Sequence, residues 1–345
     1  MKRYGRLFEK VCTFEALAKS THDAAKGKKI KPRVARFLQN LENEVIDLER
    51  ELLGKTYCPR PYRTFMVHDP KDRQICAADF RDRVVHHAVC KVLEPIFERS
   101  FISDVYACRK NKGTHRAVQR ARKNCRRFDY YLKLDVRKFF DSVDHQILKI
   151  QLRRKIKDPD LLWLLDVFID HPVPWTAPGK GIPIGNLTSQ HFANFYLSGL
   201  DHFIKEHLRV EGYVRYMDDL ALFADEKNTL WDAAARIEKF LEEMLFLAVK
   251  KGSLILAPVS QGLPFLGFRI FPSVIRLDRR GWRRFRHKVL DKNRMISRGL
   301  LDEDSWTRSI TSLMGHTRHA NMRNLRHSFF DAIDGGHSQF VIRHS

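Results

Sequence analysis

No stretch of this chain approaches the roughly 20 consecutive apolar residues that a membrane-spanning helix requires, so no membrane partner is expected. The basic start, Met1-Lys2-Arg3-Tyr4-Gly5-Arg6, runs into Glu9 and Glu15 without a secretory apolar region, which points to a cytoplasmic protein. Cysteine is scarce: six in 345 residues, all in the first 125, with no C-x-x-C pair and no histidines at zinc spacing. A disulfide framework and a zinc site are therefore not expected, and the thiols read as reduced and structural. Internal repeats and a low-complexity tail are also missing. Acid is the other deficit. Against 63 Lys and Arg there are 41 Asp and Glu, a formal net charge of +22. With 43% hydrophobic and 11% aromatic residues a substantial core can form, so disorder does not account for the imbalance. A folded surface this basic attracts polyanions, nucleic acid first; an anionic membrane surface ranks second, and the missing apolar run weakens that reading.

The pattern along the chain predicts an α+β protein with helical additions at both ends. Helices are expected over about Leu7–Ala18 and Val34–Leu53, joined by a polar link at Thr21–Lys31. Tyr57-Cys58-Pro59-Arg60-Pro61-Tyr62 breaks the second, because two nearby prolines force extended backbone. A basic hairpin follows: strands at Arg63–His68 and Arg73–Ala77 about the turn Asp69-Pro70-Lys71-Asp72. Residues 82–98 read as a helix, and Thr114 as the cap of another reaching Cys125. From Tyr131 the chain turns to short apolar strands, Tyr131–Val136, Gly212–Met217 and Leu220–Ala224, around a Pro/Gly-rich loop (His171–Gly185) and a helix at Thr188–Leu208. The expected divisions are 1–55, 56–130, 131–275 and 276–345.

Two of these strands end in acid. Tyr216-Met217-Asp218-Asp219 puts adjacent carboxylates at a hairpin turn, which alone is ordinary turn chemistry. Leu132-Lys133-Leu134-Asp135 then brings a second acid to the end of a buried strand, where a carboxylate is costly unless paired or bound to a cation. Two such sites in a basic protein suggest a pair of divalent ions roughly 3.5–4 Å apart, able to hold both oxygens of an in-line phosphoryl displacement. Mg²⁺ suits hard oxygen ligands shared between carboxylates and substrate phosphates, with Mn²⁺ a substitute. Asp141 and Asp144 read instead as local caps or surface acids.

Asp135 with Phe140, the run Gly181-Ile182-Pro183-Ile184-Gly185-Asn186-Leu187-Thr188-Ser189-Gln190, the Tyr216-Met217-Asp218-Asp219 turn and Phe265-Leu266-Gly267-Phe268 occur in the order and spacing of reverse transcriptase motifs A, B, C and E. Arg73-Gln74-Ile75, Asp82–Ala88 and Tyr106–His115 are similar to the fingers motifs of bacterial reverse transcriptases, so the resemblance covers about residues 35–275. Within that family the chain resembles the enzymes of diversity-generating retroelements, which carry Gln190 where most relatives have Pro; Ala257-Pro258-Val259-Ser260 before motif E agrees.

The resemblance implies a right-hand polymerase with a helical N-terminal extension, fingers, palm and thumb over the four divisions above. It implies Asp135, Asp218 and Asp219 as catalytic metal ligands together with the Val136 carbonyl, and Phe140 as a steric gate against a ribose 2′-OH. Arg73, with Lys71 as a weaker candidate, would grip the incoming triphosphate. Lys250 matches a lysine that protonates the departing pyrophosphate, and Gly185 and Gln190 belong to the nucleotide-side loop and helix. Ile184 stands where many relatives have a Gln that hydrogen-bonds the nucleotide pocket, which agrees with miscopying opposite template adenines. The implied reaction is RNA-directed DNA synthesis from dNTPs on a dedicated template RNA, through a cDNA/RNA hybrid. The implied setting is a ribonucleoprotein with a small basic accessory protein.

In the last segment Trp282, Phe285, Val289 and Ile296 can share one helix face, while Arg279, Arg283, Arg286, Lys288 and Arg294 lie along phosphates without reading sequence. The alternatives are a retron- or group II intron-type enzyme and an inactive RNA-binding scaffold. Against the first two stand the absence of a Val-Thr-Gly signature and of room for a maturase or endonuclease extension; against the scaffold stands the retention of the acids with Phe140 and Arg73.

Overall fold

The computed structural model describes residues 3–68 and 72–334 of the chain. It opens with four helices, α1 (Glu9–Cys12), α2 (Phe14–Ala25), α3 (Pro32–Gln39) and α4 (Leu41–Leu53). Thr13 starts α2 by accepting the Ala16 N–H at 3.2 Å. The polar link expected from Thr21 is helical as far as Ala25. Thr21 satisfies its hydroxyl by donating to the Leu17 carbonyl, which lets Thr21, Ala24 and Ala25 be buried. Strands β1 (Arg63–Val67) and β2 (Arg73–Ala77) pair as the expected hairpin, Phe65 opposite Ile75. Helices α5 (Phe80–Glu98) and α6 (Thr114–Arg127) follow. Thr114 does not cap α6: Gly113 takes the cap position with φ 102°, and the Thr114 hydroxyl bonds Tyr216 instead.

The next strand, β3 (Tyr130–Asp135), leads into α7 (Phe139–Ser142), α8 (His145–Lys155), α9 (Pro159–Asp170), α10 (Leu187–Tyr196) and α11 (Ser198–His202), the last running into a π-turn at Phe203–His207. Strands β4 (Gly212–Tyr216) and β5 (Asp219–Ala224) form a hairpin, and α12 (Lys227–Leu245) precedes β6 (Ile255–Pro258). The four strands pair antiparallel in the order β4-β5-β3-β6. A second sheet, β7 (Leu263–Phe265), β8 (Phe268–Ile270) and β9 (Ile275–Leu277), leads to the helices α13 (Arg279–Ser297), α14 (Glu303–Thr317) and α15 (Arg323–Asp334).

Apolar cores cover both faces of the central sheet, so its strands read as apolar runs rather than a clean alternation. Leu132, Leu134, Tyr213, Leu220 and Leu222 point into the core shared with α2, α4, α5 and α8–α12. Tyr131, Val214, Ala221 and Phe223 point the other way, against α6 and the β7–β9 sheet. Gly212 is required at the edge: a Cβ there would lie 2.7 Å from the Phe128 ring and from Phe223 Cβ. A third, smaller cluster around Phe285, Val289 and Ile310 holds α13–α15 together. All six cysteines are free thiols, as expected.

Candidate active site

Side chains alternate along a strand, so Lys133 and Asp135 share the face of β3 that bears Tyr131. Register then places Asp135 directly opposite Asp219 of β5, and Lys133 opposite Ala221. The Lys133 Nζ reaches Asp219 Oδ1 at 3.2 Å. Between β4 and β5 only Met217 and Asp218 remain to turn the chain, and Met217 takes left-handed backbone with φ 55°. A two-residue hairpin turn favours positive φ at its first position, and a non-glycine residue there stores about 1–3 kcal/mol of strain.

The turn delivers Asp218 beside Asp135. Burial, and next the negative charge of Asp135, push the Asp218 carboxyl well above the usual carboxylate range; the two carboxyl groups also share a hydrogen bond. Two acids in contact need either a shared proton or a cation between them. Among the described residues no cluster of three or more His, Cys, Asp or Glu forms a ready metal cage. An ion such as Mg²⁺, held by one or two carboxylates and completed by water and substrate phosphates, fits the donors that are present. The backbone of Asp135 is pinned from the side: its carbonyl accepts the Lys250 N–H at 2.9 Å and its N–H donates to Ser253 Oγ at 3.3 Å. Val136 pairs with Val249 in an antiparallel bridge, so its carbonyl lies in the same fixed segment. Lys250 Nζ is 4.0 Å from Asp135 Oδ2 and half exposed, a weak ion pair.

The loop before α10 is stitched to its surroundings by backbone. The Phe140 carbonyl accepts from Ile182 N–H at 2.8 Å, Val143 from Gly181 N–H at 2.8 Å, and the His145 ring bonds the Gly181 carbonyl at 2.8 Å. On the other side the Ile184 carbonyl accepts from Cys76 N–H of β2 at 2.9 Å, and Asn186 Oδ1 accepts the Ala78 N–H at 3.2 Å. Gly185 makes this approach possible. Its φ is 119°, and a Cβ would lie 2.9 Å from both the Cys76 carbonyl and Ile75 Cγ2. Since Arg73 and Ile75 alternate onto one face of β2, Arg73 lies on the face turned toward this loop, exposed to solvent. Phe140 is half-buried, its ring edge-on to buried Phe139 with centroids 5.6 Å apart.

The sequence-predicted residues thus divide. Asp135, Val136, Asp218, Asp219 and Lys250 come together at the end of the sheet, and Ile184, Gly185 and Arg73 belong to the loop and hairpin stitched beside it, with Phe140 on α7 bonded to that loop. Gln190 is turned elsewhere: its Oε1 accepts from Cys108 Sγ at 3.4 Å, and it lines a cavity of about 370 Å³ with His87, Cys90 and His191. Lys71 lies outside the described residues. Arg279, Arg283, Arg286, Lys288 and Arg294 are exposed along α13, with Arg286 stacked over the Phe329 ring at 5.4 Å and Arg294 paired with Asp291 at 3.6 Å. Asp144 caps α8 through the Gln146 and Ile147 N–H groups, the local role expected of it, whereas Asp141 is half-buried and accepts from Trp175 Nε1 at 3.1 Å, a partner outside its own helix. Sequence reasoning passed over Lys133, Ser253 and Arg215. Lys133 was legible as the residue two before Asp135; Arg215 was legible as a charge inside an otherwise apolar strand.

An antiparallel sheet with acids at one end, a hairpin turn bearing two of them and a glycine loop against a two-stranded arm define the palm and fingers of a right-hand nucleic-acid polymerase. A family model described as reverse transcriptase (RNA-dependent DNA polymerase) matches residues 68–270, and the chain belongs to that family. Protein YkfC of Escherichia coli (strain K12) is 29% identical over 177 residues, covering 46% of this chain and 45% of its own. The group II intron-encoded protein LtrA of Lactococcus lactis subsp. cremoris is 26% identical over 170 residues, covering 47% and 28%. The structure of telomerase from Candida albicans with a TWJ fragment of telomeric RNA is similar with a TM-score of 0.49 and 13% identity, over 82% of this chain and 56% of that one. The chain spans less than half the length of the curated relatives it matches. No helix among the described residues is long and apolar enough to cross a membrane.

The Gly185 contact predicts that Gly185→Ala separates loop from hairpin. Positive φ and a 2.9 Å clash with backbone should together lower stability by about 1–3 kcal/mol. Hydrogen exchange at the Cys76 amide should accelerate; an unchanged rate there would refute the contact's importance.

Proposed function

We propose that this chain is an RNA-directed DNA polymerase of the diversity-generating retroelement kind, copying a dedicated template RNA into cDNA with frequent errors opposite adenine. The observation that carries the polymerase reading is the meeting of Asp135 and Asp218, acid against acid, beside a loop locked to the fingers hairpin. Asp135 and Asp218, with Asp219 and the Val136 carbonyl, would hold two Mg²⁺ ions or Mn²⁺ in their place. When bound, these ions supply charge neutralisation at the transferred phosphoryl group. The chain's own residues do the rest by positioning. Lys133 holds Asp219 in its rotamer, while Ser253 and the Lys250 amide fix the Asp135 backbone. Arg73 offers a planar guanidinium to the triphosphate. Phe140 closes the sugar side of the pocket, and the Lys250 ammonium stands ready to give a proton to the departing pyrophosphate. Gln190 acts on the Cys108 loop rather than on the nucleotide. The exposed cations of α13 track the template and cDNA backbone, and a small basic accessory protein completes a ribonucleoprotein.

Ile184 carries the finer assignment. A branched alkyl side chain forms no hydrogen bond to the incoming nucleotide or its pocket, so geometric checking of the base pair relaxes. The second reading is a group II intron-type enzyme, favoured by the likeness to the intron-encoded LtrA.

With template RNA, accessory protein and Mg²⁺ present, Asp218→Asn should lower primer extension by at least about a hundredfold while RNA binding persists. An inactive wild type under the same conditions would favour an RNA-binding scaffold. Phe140→Ala should admit ribonucleotides into the product; sugar discrimination equal to wild type would remove the gate assignment. Ile184→Gln should reduce misincorporation opposite adenine severalfold, and sequencing of cDNA with an unaltered adenine error rate would favour the intron-type reading.

A further inference from the structure

We propose that Arg215 is a positioning residue: its buried guanidinium clamps the Met217 carbonyl from behind the sheet and so fixes the turn that presents Asp218. The effect on catalysis rests on the polymerase reading above, whereas the clamp itself does not.

Arg215 is fully buried in β4, on the face opposite Asp135 and Asp219. A guanidinium has five N–H donors in a rigid fork, and here each finds an acceptor. Nε and Nη2 bond the two oxygens of Asp201 at 2.6 and 2.5 Å. Nη1 and Nη2 bond the side-chain and backbone oxygens of Asn194 at 2.9 and 3.2 Å. The remaining Nη1 hydrogen goes to the Met217 carbonyl at 3.0 Å. The partners are themselves anchored: Asp201 is fully buried and accepts the Tyr213 hydroxyl at 2.8 Å, and Asn194 Nδ2 donates to the Ala107 carbonyl at 2.9 Å. The fork therefore has no freedom to turn.

Stability alone does not explain such an arrangement. A buried ion pair is commonly replaceable by uncharged residues of similar volume without loss of stability, because desolvation offsets its Coulomb energy. What an uncharged side chain cannot replace is the bond to Met217. That carbonyl belongs to the peptide joining Met217 to Asp218, in a turn whose φ of 55° is unfavourable for methionine. Holding it sets the plane of this peptide and hence the direction in which Asp218 leaves the backbone. Lysine would keep the charge opposite Asp201 yet lacks the fork that reaches Asn194 and Met217 together.

The test compares wild type, Arg215→Lys and the double variant Arg215→Met/Asp201→Asn, in which both charges are gone and Tyr213 keeps an acceptor. Each is assayed for primer extension, dNTP KM, denaturation midpoint and amide exchange. The expected result is a fall in kcat of about a hundredfold in both variants, the penalty of a misplaced reacting group, with dNTP KM within about threefold of wild type. Exchange should accelerate at residues 216–219 while β3 amides stay protected and the double variant's midpoint stays near wild type. Full kcat in the double variant would reduce Arg215 to a charge partner of Asp201, and exchange that accelerates across the whole sheet would reduce it to a structural residue; either overturns the proposal. If Arg215→Lys does not fold, the double variant decides by the same criteria. Should wild type itself fail to extend primers, the polymerase reading falls, and the exchange pattern at 216–219 alone still upholds or overturns the clamp.

Discussion

The antiparallel register of β3 against β5 is the constraint on which the site depends. Asp135 stands opposite Asp219 only because Tyr131 stands opposite Phe223 and Leu132 opposite Leu222. A slip of one residue would send every side chain of one strand to the other face, putting Leu134 at the acid end and Asp135 into the core. Both faces of the sheet are buried, so such a slip carries the penalty of two disrupted cores. Register here is held by packing on each side, and the position of the acids follows from it without any direct attraction between them.

Once brought together, the acids oppose their own proximity. Burial raises the Asp218 carboxyl, Asp135 raises it further, and Lys133 stands beside Asp219 as a partial counterweight. Hydrogen bonds to the backbone hold the assembly against this repulsion: from the Lys250 amide and to the Ser253 hydroxyl at Asp135, and from the Arg215 guanidinium at the Met217 carbonyl. The surplus of +22 thus has two settings. A few cations, such as Lys133 and Lys250, lie within reach of the acids. Many others, among them the arginines of α13, face solvent.

Much of the site was legible beforehand because its parts are local. A strand ending in acid, a turn of Tyr-Met-Asp-Asp and a glycine within a Pro-rich loop each carry their meaning in a few neighbouring residues, and the hairpin around Phe65 and Ile75 shows its alternation directly. The misreadings came where a polar side chain found its partner out of sight of the local pattern, either far along the chain or within its own helix. Thr114 has the chemistry of a helix cap but gives its hydroxyl to Tyr216, about a hundred residues away. The Thr21 region is polar in sequence yet helical and buried, since a threonine hydroxyl can be satisfied within its own helix. Gln190 lies in the nucleotide-side motif by sequence, but the α10 helix rotates it toward Cys108.

The sequence by itself determined the family, the identity of the acids and the α+β pattern, because these are written in residue type and short-range period. Only the tertiary structure decided that Asp218 meets Asp135, that Gly185 lies against Cys76, and that Arg215 supports the turn from beneath. The first two join segments roughly eighty to more than a hundred residues apart, and the Arg215 fork is aimed at its neighbour Met217 by Asn194 and Asp201 of other elements; burial and register, which no local pattern records, choose these partners.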